Sequence, residues 1–223
     1  MNRTVLVVAL AALIAGARAE SLSAVLSRMD QASVGFHGMS ANLTMVSHVA
    51  ILDDNTTENG VIKMQKTKSG TEAVIDFAGD PSKRRSLGFF DKTIQIYYPN
   101  LKLVQIYKLG RNANVLDQYL LLGFGTSGKD LTKGYEVQLL GTEQVSGQSA
   151  SKLLLIPKDA AVKQQIDKVE IWIPENSGYP IQQKFYNPSG NYRLVTYSDF
   201  QANPSLGSLK LKVPSDAKVE YPQ

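Results

Sequence analysis

Hydrophobic residues recur along this chain with two periods, and the first is helical. Four apolar residues follow the i, i+3, i+4, i+7 spacing of an amphipathic helix: Leu22, Val25, Leu26 and Met29. Ser21 is a suitable N-cap and Gly35 a suitable stop, so the pattern predicts a helix over Ser21–Gly35.

Beyond this helix the pattern changes to the alternation of β-strands. Asp53–Gly60 is rich in turn residues and predicts a break, and Asp159–Asp167 predicts a short helical turn. About ten strands with regularly spaced turns are typical of an antiparallel sandwich or barrel. The predicted strands are Met39–Val49, Val61–Lys66, Thr71–Phe77, a hairpin over Lys92–Lys108, Tyr135–Leu140, Lys152–Pro157, Lys168–Ile173, Pro180–Asn187, Tyr192–Ser198 and Leu209–Val213.

The hairpin KTIQIYYPNLKLVQIYK, Lys92–Lys108, is apolar on one face and partly apolar on the other. The second face carries Tyr97, Val104 and Ile106. We expect this second face to pack under the N-terminal helix or to form a docking surface. The first face holds Ile94, Ile96, Tyr98, Leu101 and Leu103.

The segment Asn114–Phe124 is helical in its spacing and apolar around most of its circumference, which favours burial on more than one side. A glycine-rich stretch, Gly123–Lys129, follows and predicts a flexible hinge. It has a P-loop-like G-x-x-x-x-G-K spacing, but Asp130 stands where Ser or Thr is needed, and no strand precedes it. An apolar helix followed by a flexible hinge is typical of a lid. We therefore predict that Asn114–Phe124 is a lid, with contacts from Leu116, Tyr119, Leu120 and Phe124.

A curled sheet under such a lid would enclose an apolar cavity for a small molecule or an acyl chain. The alternative is that the same apolar residues form an ordinary sandwich core without a cavity. We expect the cavity to be lined by alternating apolar positions of the early strands. These candidate ligand-binding residues are Leu43, Met45, Ile62, Met64, Ile75, Phe77, Ile94, Ile96, Leu101 and Leu103.

The first 19 residues have the features of a secretory signal peptide. A basic start is followed by an apolar run too short to span a bilayer comfortably, and Ala17–Ala19 forms a small-x-small cleavage site. Cleavage before Glu20 removes 19 of 223 residues and leaves 204, enough for the single domain that we predict over 20–223. The chain has no cysteine, so it offers no attachment site for a bacterial lipid anchor, and we expect a soluble exported protein.

Few residues in the sequence suggest catalysis, a metal or a nucleic acid. Of the two histidines, His37 precedes the predicted strand Met39–Val49 and His48 lies near its end, and no G-x-S-x-G motif occurs. Without Arg3 and Arg18 the chain has 22 basic and 20 acidic side chains, a net charge of +2, which disfavours nucleic-acid binding. The cluster Lys83–Arg85 is expected to be solvated. We therefore expect no enzyme, no metal and no cofactor.

Three stretches resemble the periplasmic outer-membrane lipoprotein carrier (LolA-type) family. They are GMSANLT at 38–44, KTIQIYYP at 92–99 and YSDFQANPSLGSLKLKVPSDAKV at 197–219. The resemblance covers nearly the whole chain after the signal peptide. It implies a mainly β fold with a few helices: an incomplete, half-open antiparallel β-barrel of about ten to eleven strands, closed by helices over an apolar cavity.

The resemblance also implies a function. A carrier of this kind is a periplasmic monomer that takes the acyl chains of lipidated proteins from an inner-membrane lipoprotein-releasing ABC transporter to an outer-membrane acceptor. One departure concerns the lid: the stretch Met64–Lys68 lacks the Lys-Arg-Pro step of these carriers, and Met45 replaces their glutamine, so no latch residue is assigned. A lipid- or lipoprotein-sensing regulatory module and an envelope-lipid hydrolase are the alternatives.

Overall fold

The computed structural model describes residues 20–90, 92–110 and 122–222. The chain forms one 12-stranded open sheet, with strand order β12-β6-β5-β4-β3-β2-β1-β11-β10-β9-β8-β7. Neighbouring strands are antiparallel, except that β12 runs parallel to β6. The bounds are β1 Gly38–Val49, β2 Asp54–Thr67, β3 Gly70–Ala78, β4 Arg85–Phe90, β5 Thr93–Tyr98, β6 Leu103–Lys108, β7 Tyr135–Val145, β8 Gln148–Pro157, β9 Lys168–Pro174, β10 Gln182–Tyr186, β11 Tyr192–Ala202 and β12 Lys218–Glu220.

Three α-helices belong to the described residues: α1 Leu22–Ser33, α2 Gly128–Gly134 and α3 Ala160–Lys163. The N-terminal helix begins as predicted, because the Ser21 side chain accepts a hydrogen bond from the backbone N–H of Ala24. The short turn predicted over Asp159–Asp167 contains α3, with Asp159 as its N-cap. The half-open β-barrel class predicted from the sequence is therefore confirmed, with 12 strands in place of ten to eleven.

Two strands begin or lie where no strand was predicted. The predicted break at Asp53–Gly60 is wrong, because β2 already starts at Asp54 and pairs with β1 from the Val49–Asp54 register onward. This part of the hairpin is mostly exposed, so it carries no apolar face that alternation could reveal. Strand β4 was also missed, since its RSLGFF sequence is interrupted by Gly88.

The C-terminal segment differs from the prediction as well. Leu209–Val213 is not a strand, although its residues alternate, and the last strand is instead β12. Leu209 is buried, and a Cβ added to Gly88 would lie 3.0 Å from Cγ of Leu211. The segment before β12 therefore lies against the convex side of β4. The C-terminal segment therefore lies beside the second face of the β5–β6 hairpin. The sequence analysis predicted that α1 packs on this face or that the face is a docking surface.

Two apolar clusters fill the concave side of the sheet. Val25 and Met29 of α1 are fully buried in the first cluster, which includes Leu153 and Ile171 of β8 and β9. The second cluster lies over β1 to β4 and includes Met39 and Met64. Helix α1 thus covers one half of the sheet and leaves the other half for the site described next.

Candidate functional site

A cavity of about 280 Å³ lies on the concave face over β1 to β4, β10 and β11. Cross-strand register explains its position, because paired residues project to the same face of a sheet. Tyr197 of β11 pairs with Leu43 of β1, and Leu43 pairs with Gly60 of β2. Gly60 in turn pairs with Phe77 of β3. Glycine is needed at position 60 because a Cβ there would lie 2.6 Å from the backbone oxygen of Asp76 on β3.

The lining is mostly apolar and combines predicted with unpredicted residues. Five of the ten candidate ligand-binding residues line it: Leu43, Met45, Ile62, Ile75 and Phe77. The remaining apolar lining residues are Met39, Leu87, Phe89, Phe124, Phe185, Val195 and Tyr197. These lie at every second position of β1, β4, β10 and β11, except for Phe124, which belongs to the loop before α2.

The other five candidate residues lie outside the lining. Met64 is fully buried in the same cluster, and Ile94 packs against that cluster. Ile96 pairs with Leu87 and so shares its face of the sheet, one strand farther out. Leu103 lies a further strand away, on β6. Leu101 is 68% exposed in a 3₁₀ turn, because the strand ends at Tyr98 before Pro99.

The predicted lid falls largely on residues that the structure does not describe. Leu116, Tyr119 and Leu120 lie outside the described residues, so their lid contacts stay predictions. Phe124 is buried and lines the cavity. Its ring packs edge-on against Tyr197, with 5.0 Å between the ring centres, and stacks on Phe200. Aromatic side chains therefore close this end of the cavity.

The glycine-rich loop around Phe124 is packed tightly against its surroundings. Gly125 has a positive φ of 71°, and a Cβ there would lie 2.2 Å from the Phe36 ring. Lys66 donates a hydrogen bond to the Gly125 carbonyl, and the buried Gln183 amide donates one of 2.6 Å to the Leu122 carbonyl. The predicted hinge also ends early, because α2 begins at Gly128. Glycine is required here for close approach.

The opposite end of the cavity is polar, which the sequence did not lead us to expect. Arg85 and Glu58 form a bidentate ion pair, with 2.9 Å between Nη2 and Oε2 and a second hydrogen bond between Nη1 and Oε1. The guanidinium also lies 4.3 Å from the centre of the Phe77 ring. Both charged side chains are only about a fifth exposed, at 23% and 22%. The prediction that Lys83–Arg85 is simply solvated is therefore wrong for Arg85.

This ion pair shifts the pKa values of its two partners apart. The hydrogen bond from Arg85 lowers the pKa of Glu58, and the nearby charges of Lys83 and Arg193 act in the same direction. The hydrogen bond to Glu58 raises the pKa of Arg85. Both groups are therefore charged across the neutral range.

Arg193 also lines this polar end, from β11. It pairs with Ser47 of β1 and with Phe185 of β10, and both of these residues line the cavity. Arg193 is exposed, so this end of the cavity reaches solvent. Alternation alone predicts that a charged residue in a strand faces outward, which is why Arg193, Glu58 and Gln183 were missed. One feature of the sequence could have revealed Arg193. In a strand it lies on the same face as Val195 and Tyr197, two and four residues farther along.

Two searches of the described residues gave no further site. Within residues 20–90, 92–110 and 122–222, no three His, Asp or Glu side chains are grouped as a metal would need. None of the helices in the same ranges is long and apolar enough to cross a membrane.

The fold has relatives among solved structures, although no family model and no curated protein sequence matches the chain. An uncharacterized conserved protein from Thermus thermophilus superposes with a TM-score of 0.50 at 12% identity, over 91% of this chain and 100% of that one. MucB, also solved in the Pseudomonas aeruginosa MucA/MucB complex, superposes with a TM-score of 0.50 at 15% identity. The match covers 88% of this chain but only 64% of MucB.

A LolA superfamily protein from Nitrosomonas europaea also matches, with a TM-score of 0.39 and 13% identity, over 83% of this chain and 95% of that one. Likeness at such low identity concerns the fold alone. The chain shares the architecture of its open, helix-covered sheet with MucB and the Thermus thermophilus protein.

Proposed function

We propose that the protein is a periplasmic carrier that binds acyl chains of lipidated proteins in this cavity. The observation that supports the proposal is the cavity itself: about 280 Å³, walled by apolar side chains of the concave face and closed at one end by Phe124 and Tyr197. Ligand sites are typically concave and apolar with a few placed polar groups, and this lining has that composition. The transporter and acceptor implied by the resemblance are part of the proposal.

Burial of an acyl chain supplies the binding free energy. Each buried methylene contributes about 0.8 kcal/mol, so a chain that is partly buried already binds measurably. A carrier must also release its cargo. The exposure of Arg193 at the polar end leaves a route through which a chain can enter and leave without unfolding the sheet.

A carrier role requires no catalytic group, and the polar end of the cavity is poorly suited to catalysis. The lowered pKa of Glu58 makes its carboxylate a weak base at neutral pH. Ser47 lines the cavity, but its neighbour His48 projects to the opposite face of β1, where it stacks on Tyr192. Ser47 therefore has no imidazole beside it, and we propose a non-enzymatic protein.

A second candidate is a regulatory module that binds lipid or lipoprotein and signals through a protein partner. The likeness to MucB favours it, because MucB is known in complex with MucA. Both functions use the same cavity, so acyl binding is the first property to test. Partner capture from a periplasmic extract, with and without bound lipid, then separates a sensor from a carrier.

The test uses a fluorescent fatty-acid probe bound to the purified protein. A synthetic lipopeptide is expected to displace the probe, whereas the same peptide without its acyl chains is not. Lipoprotein that co-purifies with the protein from the periplasm would support the carrier in particular. Absence of binding by the probe and by the lipopeptide would overturn the proposal, and a lipopeptide that binds no better than the bare peptide would do so too.

A further inference from the structure

The charges at the polar end of the cavity do not balance. Glu58, Arg85 and Arg193 are the charged residues of its lining, which gives one excess positive charge. Arg85 and Glu58 neutralise each other through two hydrogen bonds. The excess charge therefore belongs to Arg193.

Arg193 has no such partner. Across residues 20–90, 92–110 and 122–222, its side chain makes no hydrogen bond and has no carboxylate within ion-pair distance. Glu58, the nearest acidic residue of the lining, directs both of its oxygens to Arg85. Toward the described residues its five donors are unpaired, and a guanidinium beside an apolar wall is suited to an anion that accepts several hydrogen bonds, such as a carboxylate or a phosphate.

The apolar residues continue from this arginine into the cavity. Along β11, Val195 and Tyr197 follow Arg193 on the same face and both line the cavity. Four residues of extended strand span roughly 13 Å, so a chain lying along this row has its end at the guanidinium. At about 280 Å³ the cavity is near the lower end of the roughly 300–1,000 Å³ of ligand pockets, which suits one acyl chain better than several.

We infer that Arg193 determines specificity by binding the anionic end group of a single-chain amphiphile whose acyl tail lies along Val195 and Tyr197. The chemistry is that of a fatty-acid carboxylate or a lysophospholipid phosphate. This inference rests on the acyl binding in the proposed function, and it adds free single-chain anionic lipids to the lipidated proteins as ligands of the same cavity. Neutral amphiphiles with the same tail still bind through the apolar lining, but more weakly.

Competition against the fluorescent fatty-acid probe tests this inference, with each competitor below its micelle concentration. Oleate is compared with oleyl alcohol, and oleoyl lysophosphatidylglycerol with monoolein, so that each pair shares a tail and differs in charge. In the wild type we expect the anion of at least one pair to bind about fivefold more tightly, a modest factor because Arg193 is exposed. High salt should reduce this preference and leave the neutral members unaffected.

The variants separate charge from structure. Arg193→Gln should abolish the preference while retaining the affinity for the neutral amphiphiles, and Arg193→Lys should retain part of it. Arg84→Gln is the matched control, because Arg84 is an exposed arginine that is absent from the lining. If only oleate binds more tightly than its neutral counterpart, the end group that Arg193 binds is a carboxylate. If only lysophosphatidylglycerol does so, the end group is a phosphate.

Equal affinity for anionic and neutral members in the wild type would overturn the inference and leave acyl binding intact. A preference that survives Arg193→Gln would also overturn it. If none of the four amphiphiles displaces the probe although the lipopeptide does, the inference fails and the proposed function stands; if neither the probe nor the lipopeptide binds, both fail.

Discussion

The Tyr197 hydroxyl donates a hydrogen bond of 2.6 Å to Oε1 of Gln183 on the neighbouring strand. The other end of the same amide donates to the Leu122 carbonyl. Gln183 is 3% exposed, and its two hydrogen bonds connect the cavity wall to Leu122, near the C-terminal end of the predicted lid segment.

Gln183→Leu removes both hydrogen bonds and leaves the Leu122 carbonyl without this donor. We expect the free energy of unfolding to fall by about 2 kcal/mol, as urea denaturation would measure. Gln182→Leu is the control, since the Gln182 side chain projects to the convex face, where its amide donates to the Thr196 hydroxyl. Equal losses in the two variants would contradict the anchoring role of Gln183.

Glu58→Gln removes the charge from the ion pair with Arg85. The hydrogen bond from Arg85 depresses the pKa of folded Glu58, so its stabilisation is fully present above the unfolded value of about 4.3 and is lost as the pH falls through the folded pKa. The variant should be less stable by roughly 1–2 kcal/mol at pH 7. Its deficit should shrink at pH 3.

Thermal unfolding at both pH values measures this effect. Glu136→Gln, at an exposed position on β7, serves as the control and should change stability little at either pH. A deficit of Glu58→Gln that is the same at pH 7 and pH 3 would show that the carboxylate charge is not its cause.

Gly60→Ala adds a methyl group on the concave face, between Leu43 and Phe77, at a position with no space for it. The new Cβ would lie 2.6 Å from the backbone oxygen of Asp76, so β2 and β3 must shift apart. We expect a loss of about 1–3 kcal/mol in the free energy of unfolding. Gly134→Ala, where no atom lies within 4 Å, should cost nothing. Equal stability of both variants would show that β2 and β3 tolerate the added group.

Val195→Trp fills the cavity from β11 without changing its charge. The larger ring occupies volume that the acyl tail needs, so probe affinity should fall about tenfold while the circular dichroism of the sheet is retained. Val34→Trp, at a position 81% exposed beside α1, should bind the probe normally. Normal binding by Val195→Trp would place the acyl site elsewhere.

Leu120→Glu tests the predicted lid at a position that lies outside the described residues. A carboxylate at a position that covers an acyl chain must be desolvated, so affinity for the probe should fall about tenfold or more. Leu101→Glu is the matched control, because Leu101 is exposed in the 3₁₀ turn. Unchanged binding by Leu120→Glu, with the sheet folded, would refute the lid assignment.

The fold was largely predictable because most strands bury one face. Alternation identified β1, β3, β5 and β6, and capping identified α1. It failed at the start of β2, where both faces are mostly exposed, and at β4, where Gly88 makes room for Phe90 and Leu211. Strand prediction from alternation needs an apolar side chain at every second position. A polar residue or a glycine at such a position removes that pattern.

The apolar half of the candidate site was predictable for the same reason, and its polar end was not. Leu43, Ile62 and Ile75 stand on alternating apolar faces that the sequence displays directly. Glu58 and Arg193 stand on the same faces, but a charge there becomes visible only when strand order brings β2 beside β3 and β11 beside β1. The pairing of β11 with β1 joins segments that are far apart in the sequence, so local alternation could not place Glu58 and Arg193 at the same site.

The crossing of the two terminal elements has a consequence for how the protein folds. Helix α1 precedes the first half of the sheet but packs on β8 and β9, and β12 follows the second half but pairs with β6. Neither half is complete without a segment from the opposite end of the chain. As the chain emerges from its N-terminus, the surface that buries α1 stays incomplete until residues near 171 have emerged, and the edge of β6 stays unpaired until residues 218–220 arrive. Folding therefore finishes as a late, cooperative event, and a truncated product would expose both an apolar helix face and a bare strand edge.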